Sequence, residues 1–142
     1  MQAKKRTSDW PEKLNTYLDS IQNKEYRWGE LDCCLFVADW LRILTKIDYA
    51  EPFRNQYDSL ESAIALMGEW KDENATDEHF GAPAKYLDFW FPQTTVFKVK
   101  RGDIVVNAEG SVGICNGLYS LFMSSKGLAA VKTLECVRGW YI

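Results

Sequence analysis

Histidine is nearly absent from this chain: of 142 residues, only His79 is one. Any reaction that needs an imidazole to carry protons at neutral pH therefore has a single candidate. The four cysteines, Cys33, Cys34, Cys115 and Cys136, contain no C-x-x-C pair. That argues against the usual zinc and iron–sulfur frameworks, and no metal or cofactor is expected. Cys33 and Cys34 are neighbours and the other two lie far along the chain, so free thiols in a reducing compartment are the simpler reading. A Cys115–Cys136 disulfide would need their strands to be neighbours. No apolar run approaches the ~20 residues needed to cross a bilayer, so no membrane span is expected. The opening "MQAKKRTSDW" has basic residues but no apolar core behind them, unlike a secretory signal, which points to synthesis in the cytoplasm. Positive charge is also scarce. The net charge is −3 and the only basic cluster is Lys4, Lys5 and Arg6, read as part of a solvated, flexible tail over residues 1–8. Nucleic acid and anionic membrane are thus poor candidates for the main partner. Repeats, low-complexity tracts and interdomain linkers are missing too.

What is present is the composition of a single globular domain: 46% hydrophobic, 26% charged and 14% aromatic residues, with six tryptophans. "WPEKLNTYLDSIQN" reads as a helix with Pro11 in its first turn and Leu14, Tyr17, Leu18 and Ile21 on one stripe. "CCLFVADWLRIL" repeats apolar residues at helical spacing, with Asp32 as its cap. "DSLESAIALMG" predicts a short helix capped by Asp58 or Ser59 and stopped at Gly68, and "APAKYLDFWF" a fourth ended by Pro92. Beyond Pro92 the pattern changes to period two. Strands are expected at about 104–107, 111–115, 118–123, 128–133 and 139–141, with Gly110, Gly117 and Gly127 at turns. Helices followed by antiparallel strands is the α+β order. The acidic stretch "EWKDENATDEHFG" reads as a surface loop.

The stretch "WGELDCCLF" concentrates the chemistry. A cysteine in the first turn of a helix has its thiolate favoured by unpaired backbone N–H groups and by the macrodipole. Two small, buried, inert cysteines are the alternative. Asp32 would cap the helix, yet its charge would oppose ionisation of a neighbouring thiol.

At this point the chain resembles a known family. "YRWGELDCCLF" is similar to the signature of NlpC/P60 peptidases around their nucleophile, "RGDIVVNAEGSVGICNG" to their glycine–aspartate strand and histidine–valine–glycine–isoleucine strand, and "LFMSSKGLAAVKTL" to the strands that follow. The resemblance covers roughly residues 26 to 134. It implies a single papain-like α+β domain over 1–142, with N-terminal helices packed on a C-terminal antiparallel sheet. Most members cut stem peptides of peptidoglycan. The resemblance puts Cys33 at the nucleophile position, and Tyr26, Trp28, Asp32 and Cys34 along the substrate cleft, Cys34 replacing a serine that helps bind the substrate's amino group.

Two departures decide how that resemblance is read. Ser111 stands where the catalytic histidine belongs, and Met123 where its orienting residue belongs. Serine cannot take a thiol proton at neutral pH and methionine cannot orient an imidazole. His79 would serve only if its loop folded over Cys33. Asp103 fits a structural turn, and Glu30 an exposed loop carboxylate. The expectation is a catalytically silent domain. The compact form and the "CVRGWYI" ending resemble small NlpC/P60-related proteins of bacteriophages, which implies a structural or interaction role in a tail tip or tail assembly. On that reading the protein is made in the host cytoplasm and incorporated in the virion tail, and its partners are tail hub, tip or fibre proteins, with a peptidoglycan stem peptide as a further ligand. Trp70, Trp90 and Phe91 are candidate surface anchors, or else core residues. The alternative is a peptidoglycan-cleaving cysteine peptidase or amidase that uses Cys33 with an unconventional base.

Overall fold

The computed structural model describes residues 6–67 and 81–142. Four helices precede a six-stranded antiparallel sheet, so the chain is α+β with N-terminal helices and C-terminal strands. Helix α1 spans Trp10–Ile21 and carries Pro11 in its first turn, where it has no N–H to leave unpaired. Its stripe of Leu14, Tyr17, Leu18 and Ile21 is buried. Helix α2, Cys33–Thr45, is buried through most of its length and is the hub of the core, packing against α1 and the sheet. Two long-range bonds fix its position: the Tyr17 hydroxyl donates to the Phe36 carbonyl at 2.6 Å, and Trp40 Nε1 donates to the Gly102 carbonyl at 2.9 Å. Helix α3, Leu60–Leu66, is capped by Ser59, whose side chain accepts from the Ser62 N–H while the Ser62 hydroxyl accepts from the Ser59 N–H. The expected stop at Gly68 lies outside the described residues. Helix α4, Gly81–Trp90, ends two residues before Pro92.

The strands are β1 (Gln93–Thr94), β2 (Ile104–Val106), β3 (Val112–Cys115), β4 (Tyr119–Ser124), β5 (Gly127–Lys132) and β6 (Arg138–Trp140). Five lie within a residue of expectation at each end. The two-residue β1 was not expected, because a strand that short leaves no alternation to detect. Gly110, Gly117 and Gly127 sit at the turns with positive φ. The sheet order is β1-β6-β2-β3-β4-β5, so the last strand lies in the interior and pairs antiparallel with both β1 and β2.

One expectation needs correction, and one open choice is resolved. The tail foreseen over residues 1–8 is anchored from Arg6 onward. The Thr7 N–H donates to the Leu44 carbonyl, and the Arg6 guanidinium is nearly buried, pairing with Asp103 and bonding the Arg101 carbonyl at 2.6 Å and the Ile142 carbonyl at 3.2 Å. Arg6 also lies 4.5 Å over the Trp10 ring, so its stem and charge both have partners that a solvated tail lacks. Phe91 is no surface anchor; it is 4% exposed, its ring against Tyr49. Trp90 is half-buried, edge-on to Tyr49, and Trp70 lies outside the described residues. Cys115 and Cys136 are both buried and free, in a small cluster with Val96, Val105 and Phe122.

Candidate functional site

The site is organised by a buried carboxylate. Asp32 adopts an extended backbone just before α2, and its Oδ1 accepts from the N–H groups of Cys34 at 3.1 Å and Leu35 at 3.0 Å. These are donors that the first helical turn cannot satisfy internally. Its Oδ2 accepts from the Gly29 N–H at 3.0 Å and from the Tyr57 hydroxyl. With four donors around it and 1% exposure, Asp32 has no face left for a ligand. The expectation that it lines the substrate cleft is therefore corrected: it builds the cleft from beneath. Gly29 is required there because its φ is +81° and a Cβ would collide with the Tyr57 carbonyl oxygen.

Capping by Asp32 presents Cys33 and Cys34 in the first turn of α2, their Sγ atoms 3.9 Å apart. The two thiols differ in acidity. The hydrogen bond with Cys34 holds Cys33 below the ordinary thiol range, against burial and the Asp32 charge, which both push it up. Cys34 is pushed well above that range, first by its hydrogen bond to Cys33 and then by burial. Cys33 is thus the more acidic thiol of the pair and the better candidate nucleophile.

Cys33 and Cys34 open into a cleft of about 600 Å³. Tyr26 and Trp28, packed edge-to-face at 5.1 Å between ring centroids, line it together with Ser111 and Met123. The structure therefore collects Tyr26, Trp28, Cys33, Cys34, Ser111 and Met123 around one opening. Burial, followed by the charge on Cys33, pushes the Tyr26 hydroxyl upward, so it stays protonated at neutral pH. Ser111 immediately precedes β3, where its N–H donates to Asn107 Oδ1 and its carbonyl accepts from the Asn107 N–H, both at 3.0 Å. Met123 comes from β4 and is 3% exposed. The remaining wall includes Leu60, Ala63, Ile64 and Met67 at α3, Ala82 and Pro83 at α4, and Ala129 and Val131 on β5. Glu109 is the one formally charged side chain among the described residues of the wall.

Other candidate bases stand away from the thiols. Asp103 is fully buried, accepting from Arg6, from the Lys100 N–H at 3.0 Å and from the Ile142 N–H at 3.1 Å, which matches its expected turn role and adds two distant partners. Glu30 is exposed and pairs with Arg27 at 3.6 Å. His79 lies outside the described residues. Among those described, no group of three or more histidine, cysteine, aspartate and glutamate side chains is placed to hold a metal ion, and no helix is long and apolar enough to cross a membrane.

The sequence pattern did not reveal Tyr57, Asn107 or Glu109. Tyr57 lies 25 residues from Asp32 in an irregular segment with no periodicity to flag it. Asn107 and Glu109 belong to a turn whose asparagine and glycine announced only a reversal of the chain.

Searches among curated proteins and among solved structures found no match. A family model, described as a domain of unknown function (DUF6950), matches residues 5–142, a span that takes in every element described above. With the match running from before α1 through β6, the chain belongs to the DUF6950 family.

Proposed function

We propose that this domain is a catalytically silent NlpC/P60-like interaction module of a bacteriophage tail tip or tail assembly, its cleft kept for holding a protein or peptide chain and not for cutting it. The observation that carries this reading is the pair of residues across the cleft from the thiols. Ser111 and Met123 share the wall with Cys33, and no imidazole is among the described residues there. A hydroxyl is far too weak a base to take the thiol proton, and a thioether takes no part in proton transfer. Losing a positioned general base costs about 10²- to 10⁴-fold in rate. The tail assignment is supported by the sequence resemblance, and with it come synthesis in the host cytoplasm, incorporation in the virion, and hub, tip or fibre proteins as partners.

The test is incubation of the protein and its Cys33→Ala variant with peptidoglycan stem peptides, followed by mass spectrometry. Intact peptide in both samples is expected. Cleavage by the unmodified protein alone would overturn the silent reading. Co-expression with tail hub, tip and fibre proteins should yield a complex that survives gel filtration.

One observation favours a second reading. Cys33 is held below the ordinary thiol range, which is the property a cysteine peptidase or amidase needs in its nucleophile. On that reading the base comes from outside the described wall.

A further inference from the structure

We infer that the outer edge of β5 docks an extended segment of a partner protein that carries an acidic residue towards each end, with alternate side chains between them entering the cleft. This sharpens the interaction reading above and rests on it only for the existence of a protein partner.

Strand β5 is last in the sheet order, so one of its edges has no strand beside it among the described residues. It pairs residue for residue with β4, from Tyr119↔Lys132 to Ser124↔Gly127, without a bulge. Edge strands are commonly protected by bulges, prolines or inward-pointing charges. Gly127–Lys132 has no bulge or proline, and its one charged residue is the terminal Lys132: its sequence is GLAAVK, and Ala129 and Ala130 are exposed. Small side chains there leave room for larger ones on an incoming strand. Ala129 and Val131, which alternate onto one face, line the cleft, so the open edge and the cleft are contiguous.

Charge identifies the occupant. Lys126, in the β4–β5 turn, and Lys132, the last residue of β5, stand at its two ends; both are exposed, and neither belongs to an ion pair among the described residues. A second copy of the chain pairing antiparallel through β5 about Ala129 would set Ala129 against Ala129 and Gly127 against Val131. Each Lys132 would then stand beside the other copy's Lys126, bringing like charges together at both ends. The lysines therefore disfavour self-pairing and favour a strand with a carboxylate at each end. A residue paired with Lys132 shares its face, and the residue next to it shares the cleft face of Val131. Pairing of this kind takes affinity from main-chain bonds and selectivity from alternate side chains.

The probe is a labelled, end-blocked peptide, Glu-Val-Thr-Val-Thr-Val-Glu, with a second version carrying lysine at both ends. Fluorescence anisotropy at low salt should show saturable binding of the first to the unmodified protein and to Cys33→Ala. The double variant Lys126→Glu/Lys132→Glu should bind it about tenfold more weakly, as expected for two exposed ion pairs, and should bind the lysine version instead. Equal binding to both proteins, or none to the unmodified one, would overturn the inference. So would a dimer in light scattering that the double variant abolishes, since that outcome assigns the edge to a second copy. Peptide cleavage in the stem-peptide assay would end the silent reading while leaving the anisotropy result with Cys33→Ala intact.

Discussion

Two adjacent thiols differ in acidity, and the difference has a measurable sign. The thiol–thiol contact lowers Cys33, so removing Cys34 Sγ lifts the Cys33 midpoint and lowers its thiolate fraction at any pH below it. Cys34→Ala should slow alkylation of Cys33 by iodoacetamide at pH 7 by about three- to tenfold while leaving the high-pH plateau unchanged. Cys34→Ser keeps a donor and should slow it less. Peptide-resolved mass spectrometry across a pH series checks this, and identical profiles for all three proteins would remove Cys34 from the account. The location of this pair was legible because a capping aspartate before an apolar helical run is a local pattern. The orientation of the Asp32 carboxylate was not. Which way a side chain points depends on partners such as Tyr57 and Gly29, and the Tyr57 bond closes only once the fold has formed. Spacing placed Ser111 and Met123 opposite Cys33 in the resemblance, and the cleft wall now contains all three.

Helices and strands were legible wherever the pattern repeated several times. The stripe on α1 and the buried run of α2 match the residues that became core. Pairing order was not, because alternation says which residues share a face and nothing about which strand lies alongside. Strand β6 is the clearest case: it pairs with β1 on one side and β2 on the other. Trp140 on this strand is completely buried, and its Nε1 donates to Asp88 Oδ1 at 2.8 Å, joining the sheet to α4. Trp140→Ala should therefore cost about 4 kcal/mol in urea unfolding, in the range for emptying a large core site. A loss below about 1 kcal/mol would mean that β6 is peripheral to the core.

At the scale of the molecule, Asp103 ties residue 6 to residue 142. Its carboxylate meets the Arg6 guanidinium and the Ile142 N–H, while the same guanidinium bonds the Ile142 carbonyl. Truncating one member of a buried pair leaves the other without its counter-charge. Asp103→Ala is accordingly expected to lower stability by about 3 to 5 kcal/mol, read as a drop in the urea midpoint at constant slope. An unchanged midpoint would show that water replaces the carboxylate without cost. Single charges in "KKRTSD" gave no hint of this, since a partner so distant in sequence leaves no local mark. The interior position of β6 also bears on the order of assembly. Ile104 must meet Trp140 across everything encoded between them, and loop closure of that kind is slow compared with forming the adjacent β4–β5 hairpin. Until that meeting, the wholly apolar "IVV" of β2 has an open flank. The nascent sheet is then most prone to wrong partners at its middle, and the arrival of a single short strand sets the pace of folding.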